Sequence, residues 1–127
     1  MYKFIIAAVV CVISMIAAAA KAHEWTPTYP TFEPSFMDGI AVTTMKIFNK
    51  RTDANFYEIS VYDEEWNEIR FASSSKIIEL DYLEQKSIEL YVLESDCDRV
   101  EYICSKSLLL KNNELSSGVN TRICSRN

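Results

Sequence analysis

Residues 56–62, Phe56-Tyr57-Glu58-Ile59-Ser60-Val61-Tyr62, alternate between side chains suited to a core and side chains suited to water. Tyr57, Ile59 and Val61 fall on one face of an extended chain, and a period of two marks a half-buried β-strand. Residues 87–93 repeat the pattern, with Ile88, Leu90 and Val92 on one face. Further β-like runs stand at residues 42–48, 76–80, 100–104 and 119–124, and Ile69 and Phe71 follow an acidic turn at 63–67. The apolar triplet at 108–110 leaves two readings open, a short helix or a continued strand. Turn signals at Asp38-Gly39, in the polar stretch 49–55 and at 111–118 separate these runs. About seven short strands at spacings near ten residues predict an all-β, immunoglobulin-like sandwich.

The chain has 127 residues, one histidine, four cysteines and a formal charge of −5. That length builds one core rather than two. Lys3, the apolar run over residues 4–16 and the small-residue ending Ala20-Lys21-Ala22 predict a cleavable signal helix over residues 1–22. The rival is a membrane anchor, for which about 17 apolar residues is the short limit. Cleavage removes 22 of the 127 residues and, with Lys3 and Lys21, two of the 13 basic side chains. It leaves residues 23–127 as one domain of 105 residues, with 11 basic against 18 acidic side chains and a charge of −7. An exported acidic domain without a basic run predicts no nucleic-acid partner and no stable membrane insertion after cleavage.

Export changes the meaning of the cysteines. Cys11 leaves with the signal, and Cys97, Cys104 and Cys124 enter an oxidising compartment. A disulfide between Cys104 and Cys124 is expected, because each sits in a β-like run and a polar turn separates the runs. Closing that loop contributes about 3 kcal/mol. Cys97, between Asp96 and Asp98, is then left as a free thiol whose acidic neighbours raise its pKa.

The order of segments resembles a known family. Met45-Lys46-Ile47-Phe48-Asn49, Tyr57-Glu58-Ile59-Ser60-Val61-Tyr62-Asp63, the stretch 71–80, Ile88-Glu89-Leu90, Asp98-Arg99-Val100-Glu101-Tyr102-Ile103-Cys104 and Thr121-Arg122-Ile123 are similar to the N-terminal immunoglobulin-like domain of periplasmic pilus-assembly chaperones. The similarity runs from about Thr28 to Arg126 and implies a divergent, single-domain relative. Such chaperones carry a second immunoglobulin-like domain and grip the subunit's carboxyl terminus with a basic pair in the cleft between domains. Residues 28–36 offer no Arg or Lys for the first of that pair, and Arg122 or Arg126 stands in for the second. The long alternating strand they lend to a subunit is replaced by the short, partly polar set Val119, Thr121 and Ile123. The resemblance therefore implies binding of a partner protein by a sheet edge rather than complete donor-strand chaperoning.

Pro27, Pro30 and Pro34 exclude a helix in the opening segment, where Tyr29, Phe32 and Phe36 stand at spacings of three and four. This segment has two readings: an edge that pairs with a partner strand, or an edge protected by prolines with its aromatics filling the sandwich. With Arg122 and Arg126 these aromatics form the candidate partner-binding set.

No constellation for catalysis, metal or cofactor accompanies it. A copper site at His23 lacks its second imidazole. Glu94, Asp96 and Asp98 lack the glycine and terminal acid of a calcium loop, and the expectation is that Asp98 and Arg99 pair to fix the following loop. Asp63, Glu64, Glu65 and Glu68 crowd one hairpin, with Trp66 expected to fold onto the sheet. Ser73-Ser74-Ser75 has no base beside it in sequence. The sequence thus predicts a non-catalytic, exported binding or assembly module of the bacterial periplasm or cell exterior, from a host or from a phage or mobile element. The alternative is a structural subunit of a virion or cell-surface assembly.

Overall fold

The computed structural model describes Tyr2, residues 22–108 and residues 120–127. The rest of the predicted signal segment, Leu109, Leu110, the predicted turn at 111–118 and Val119 lie outside the described residues. Eight strands and one helical turn follow one another among the described residues: β1 (Glu24–Thr26), β2 (Glu33–Pro34), β3 (Ile40–Phe48), β4 (Phe56–Tyr62), β5 (Ile77–Glu79), β6 (Gln85–Leu93), α1 (Glu94–Cys97), β7 (Tyr102–Leu108) and β8 (Arg122–Arg126).

They form two antiparallel sheets. In the first, β6 pairs with one side of β3, and β1 and β2 share the other side. The second has the order β5-β4-β7-β8. A split first strand beside β3 and β6, facing β4, β7 and β8, is the arrangement of an immunoglobulin-type sandwich. Gly39, at φ 79°, makes the left-handed turn that admits the chain to β3.

The alternation that marked β4 and β6 builds the core. Met45, Ile47, Ile88 and Leu90 of the first sheet meet Tyr57, Ile59, Val61 and Ile103 of the second. Each fully buried aliphatic side chain contributes about 1.5–3 kcal/mol. Trp25 ties the sheets together: it sits on β1 of the first sheet, and its indole N–H donates to the carbonyl of Ile103 on β7 of the second, at 2.9 Å.

The structure shifts several expected boundaries. β7 starts at Tyr102 rather than Val100, because residues 99 and 100 close a turn after α1, Arg99 N–H donating to Asp96 O and Val100 N–H to Cys97 O. The strand then continues to Leu108, the extended reading of that residue. Residues 69–71 form no strand of their own. The hairpin beside them makes one bridge, Tyr62 with Glu68, and Ala72 makes another with Tyr91. The acidic stretch expected as a turn is the helical turn α1, and its i, i+3 spacing pairs Arg99 with Asp96 at 3.1 Å, not with Asp98.

Candidate functional site

The outer edge of β8 is the candidate site. Arg126 N–H points away from β7 and donates to Thr28 O at 3.0 Å. Backbone direction alternates along a strand, so the N–H and C=O groups of Arg122 and Cys124 face the same way. The register agrees, since Cys104 and Cys124 are opposite each other with Cα atoms 4.1 Å apart, the spacing of a pair that exchanges no backbone hydrogen bonds. Among the described residues no strand covers Arg122 and Cys124 on that side.

The N-terminal segment reaches this edge by changing sheets. After Thr26 it leaves β3, and Pro27 O accepts from Ser125 Oγ at 2.6 Å while Thr28 O accepts from Arg126. It returns to β3 at Glu33, opposite Val42. The expected aromatic edge is therefore divided. Phe32 packs against the core, Tyr29 is 75% exposed, and Phe36, 86% exposed, stands edge-on to Tyr91 at 6.4 Å. Phe32 is drawn into the core while Tyr29 and Phe36 stay exposed, so the three rings are not presented together. Of this segment, Thr28 meets one of the predicted arginines, Arg126.

Both arginines have partners within the chain. Arg126 Nε donates to Glu101 Oε1 at 2.7 Å, and the Arg122 guanidinium lies 5.6 Å over the ring of Tyr62. The second contact explains an oddity of the disulfide. Cys104 pairs with Cys124 as expected, on the solvent-side face of the sheet, yet Cys104 is fully buried. Arg122 is opposite Lys106, Tyr62 is opposite Tyr102, and the line from Arg122 to Tyr62 crosses β7 at Cys104. Trp66 extends this roof, stacked on Tyr102 and tilted against Tyr62. The Asp63 carboxylate anchors that hairpin by accepting from Asn67 and Glu65 N–H, bonds that hold it below its ordinary range.

Among the described residues Cys97 is the free thiol. Burial first, and then Asp98, Glu94 and Asp96, push its pKa up, so it is a poor nucleophile.

A polar cluster that the hydrophobic pattern did not reveal fills one part of the interior. Asn49 Nδ2 donates to Ala54 O and Leu80 O, and its Oδ1 accepts from Arg51 N–H and the Tyr57 hydroxyl. Arg51 bonds Asp53 through both carboxylate oxygens and donates to Ser107 Oγ. The signal available in sequence was the inward parity of Ser105 and Ser107 relative to Ile103.

A groove of about 520 Å³ runs along the outer edge of β4, between Glu68, Phe71 and Lys76. Ile59 and Val61 on its floor are 2% and 1% exposed, so their backbone groups are not offered to a strand as those of β8 are.

The sequence matches no protein-family model and no curated protein. Among solved structures, the fold is similar to the ASH / PapD-like domain of human CEP192 (PapD-like domain 7). The two are 13% identical, with 84% of this chain and 85% of that chain covered and a TM-score of 0.47.

Proposed function

We propose that this chain is an exported, non-catalytic protein-binding module, chaperone-like in manner, that receives an extended segment of a partner along the outer edge of β8. The observation that carries this reading is a pair of backbone positions, Arg122 and Cys124, that no strand covers among the described residues, on a strand held in register by a disulfide. A strand fixed in place loses little freedom when a partner pairs with it, so more of each new hydrogen bond appears as affinity. Arg122, which lies over Tyr62, brings positive charge to the edge and favours an acidic segment, while the charge of Arg126 is met by Glu101. The likeness of the sequence to pilus-assembly chaperones supports a periplasmic or extracellular setting, in a host or carried by a phage or mobile element.

Capture from the native compartment tests this. Arg122→Pro deletes one outward N–H at an edge position where proline is tolerated. Loss of partner capture with the disulfide still formed is the expected result, and unchanged capture refutes the β8 edge. Co-purification in a stable, stoichiometric assembly would instead make the chain a structural subunit.

A further inference from the structure

His23 stands at the head of β1 and is 2% exposed. Its Nε2 is 2.7 Å from Ser105 Oγ on β7, and its ring packs 4.6 Å from that of Tyr57 on β4. Nδ1 is buried and has no hydrogen-bond partner among the described residues. A bare lone pair costs less to bury than an unpaired N–H, so the proton belongs on Nε2, which donates to Ser105. A second proton would place an N–H without an acceptor, and a charge, in a dry site.

The groups described around the ring do not relieve that charge. Arg51, in the loop after β3, is positive and opposes it. Asp53 spends both carboxylate oxygens on Arg51. Tyr57 stays neutral, its pKa pushed up to about 12 by burial, and its hydroxyl is committed to Asn49. Ser105 and Ser107 do not titrate, and Glu24 on β1 itself is paired with Lys50 in the solvent.

We propose that His23 is an acid-operated latch on the first strand: when its imidazole takes a second proton, β1 leaves β3 and uncovers the edge of residues 44–48, while the rest of the sandwich stays folded. β1 is held by three register pairs with β3 and by Trp25, buried in the core with its indole bonded to Ile103, all of which the opening must release together, whereas β3 and β6 share nine pairs, and β4, β7 and β8 are joined by long ladders and a disulfide. The uncovered edge would extend one already open. Ile40 N–H and C=O bond residues 37 and 35 on this side, so Thr44 also faces it, in the gap between β1 and β2. Residues 27 and 28 connect β1 to β8, but amide exchange at β1 and β3 reads the latch and partner capture reads the β8 edge, so the two are tested separately.

Burial first, and then Arg51, push the His23 pKa down from 6.5 to about 4, against the opposing hydrogen bond to Ser105. An opened β1 restores the ordinary value, so the opening constant rises about 30-fold between pH 8 and pH 5. Native-state amide exchange of the disulfide-intact chain, corrected for intrinsic rates, reads this directly. Protection at residues 24, 26, 46 and 48 should fall about 30-fold while that of β4 and β7 holds, and His23→Leu should abolish the pH response. Unchanged protection at those four amides, a parallel fall in β4 and β7, or the same response in His23→Leu would overturn the latch. If that variant does not fold, the ring resonance of the chain's sole histidine is followed together with those amides: loss of protection at residues 24, 26, 46 and 48 that tracks protonation of the ring supports the latch, and protonation of the ring without that loss overturns it.

Discussion

Trp66 lies face to face with Tyr102, ring centroids 4.0 Å apart and planes within 6°, although the Trp66 backbone sits at φ 65°. That left-handed position after a tight turn normally selects glycine. The indole keeps it because stacking offsets the backbone cost.

Two substitutions separate those terms. Trp66→Gly loses the stack and relieves the backbone, whereas Trp66→Ala loses the stack and keeps the strain. Denaturant unfolding should find both less stable than the native chain, with the alanine variant lower than the glycine variant by about 1 kcal/mol. Equal stabilities would remove strain from the account.

The disulfide links residues 20 apart and pins edge strand β8. Replacing Cys104 and Cys124 together by serine should cost about 3 kcal/mol, read as a lower thermal midpoint. Cys97→Ser should leave that midpoint unchanged. Because Cys104 is sealed beneath Arg122 and the tyrosines, Arg122→Ala should speed reduction of the native disulfide, measured by thiol titration.

Asn49 holds four groups at once: two carbonyls, the Arg51 amide and the Tyr57 hydroxyl. Asn49→Leu should destabilise by at least about 3 kcal/mol, since each buried group left unpaired costs about 1–3. Tyr57→Phe, which removes one hydroxyl from the cluster, should cost about 1–2 kcal/mol. A double-mutant cycle would show the two effects to be non-additive.

Stability should also fall in acid for a stated reason. The folded pKa of His23, about 4, lies below its ordinary 6.5, so the unfolded chain takes the proton first. The stability is complete above pH 6.5 and is lost as pH falls toward 4, by up to about 2.5 kcal/mol at pH 4.5. Unfolding free energies measured at pH 7.5 and 4.5 should differ less in His23→Leu by that amount.

The sequence disclosed what depends on local alternation and concealed what depends on distant partners. Tyr57, Ile59 and Val61, and Ile88, Leu90 and Val92, face inward as their period implies. The Cys104–Cys124 pair followed from two flanking strands. In β7 the pattern misleads, because Tyr102, Cys104 and Leu108 share the outer face while Ser105 and Ser107 point inward. Those serines are accommodated by His23 and Arg51, which are 82 and 56 residues away and leave no trace in a short window. The division of Tyr29, Phe32 and Phe36 was hidden for the same reason, since the bonds that pull the chain across to β8 are made with Ser125 and Arg126.

Those bonds also carry a consequence for the order of events at birth. Trp25 waits for Ile103, 78 residues downstream, and Pro27 waits for Ser125, 98 residues downstream. A chain that emerges from a ribosome or a translocation pore with its N-terminal end leading presents its first strand earliest and satisfies it last. β1 can pair with β3 as soon as residues 46–48 emerge, but the Trp25 indole and the carbonyls of residues 27 and 28 stay unmet, a window in which an escort could hold the nascent chain and which closes when residues 125 and 126 arrive.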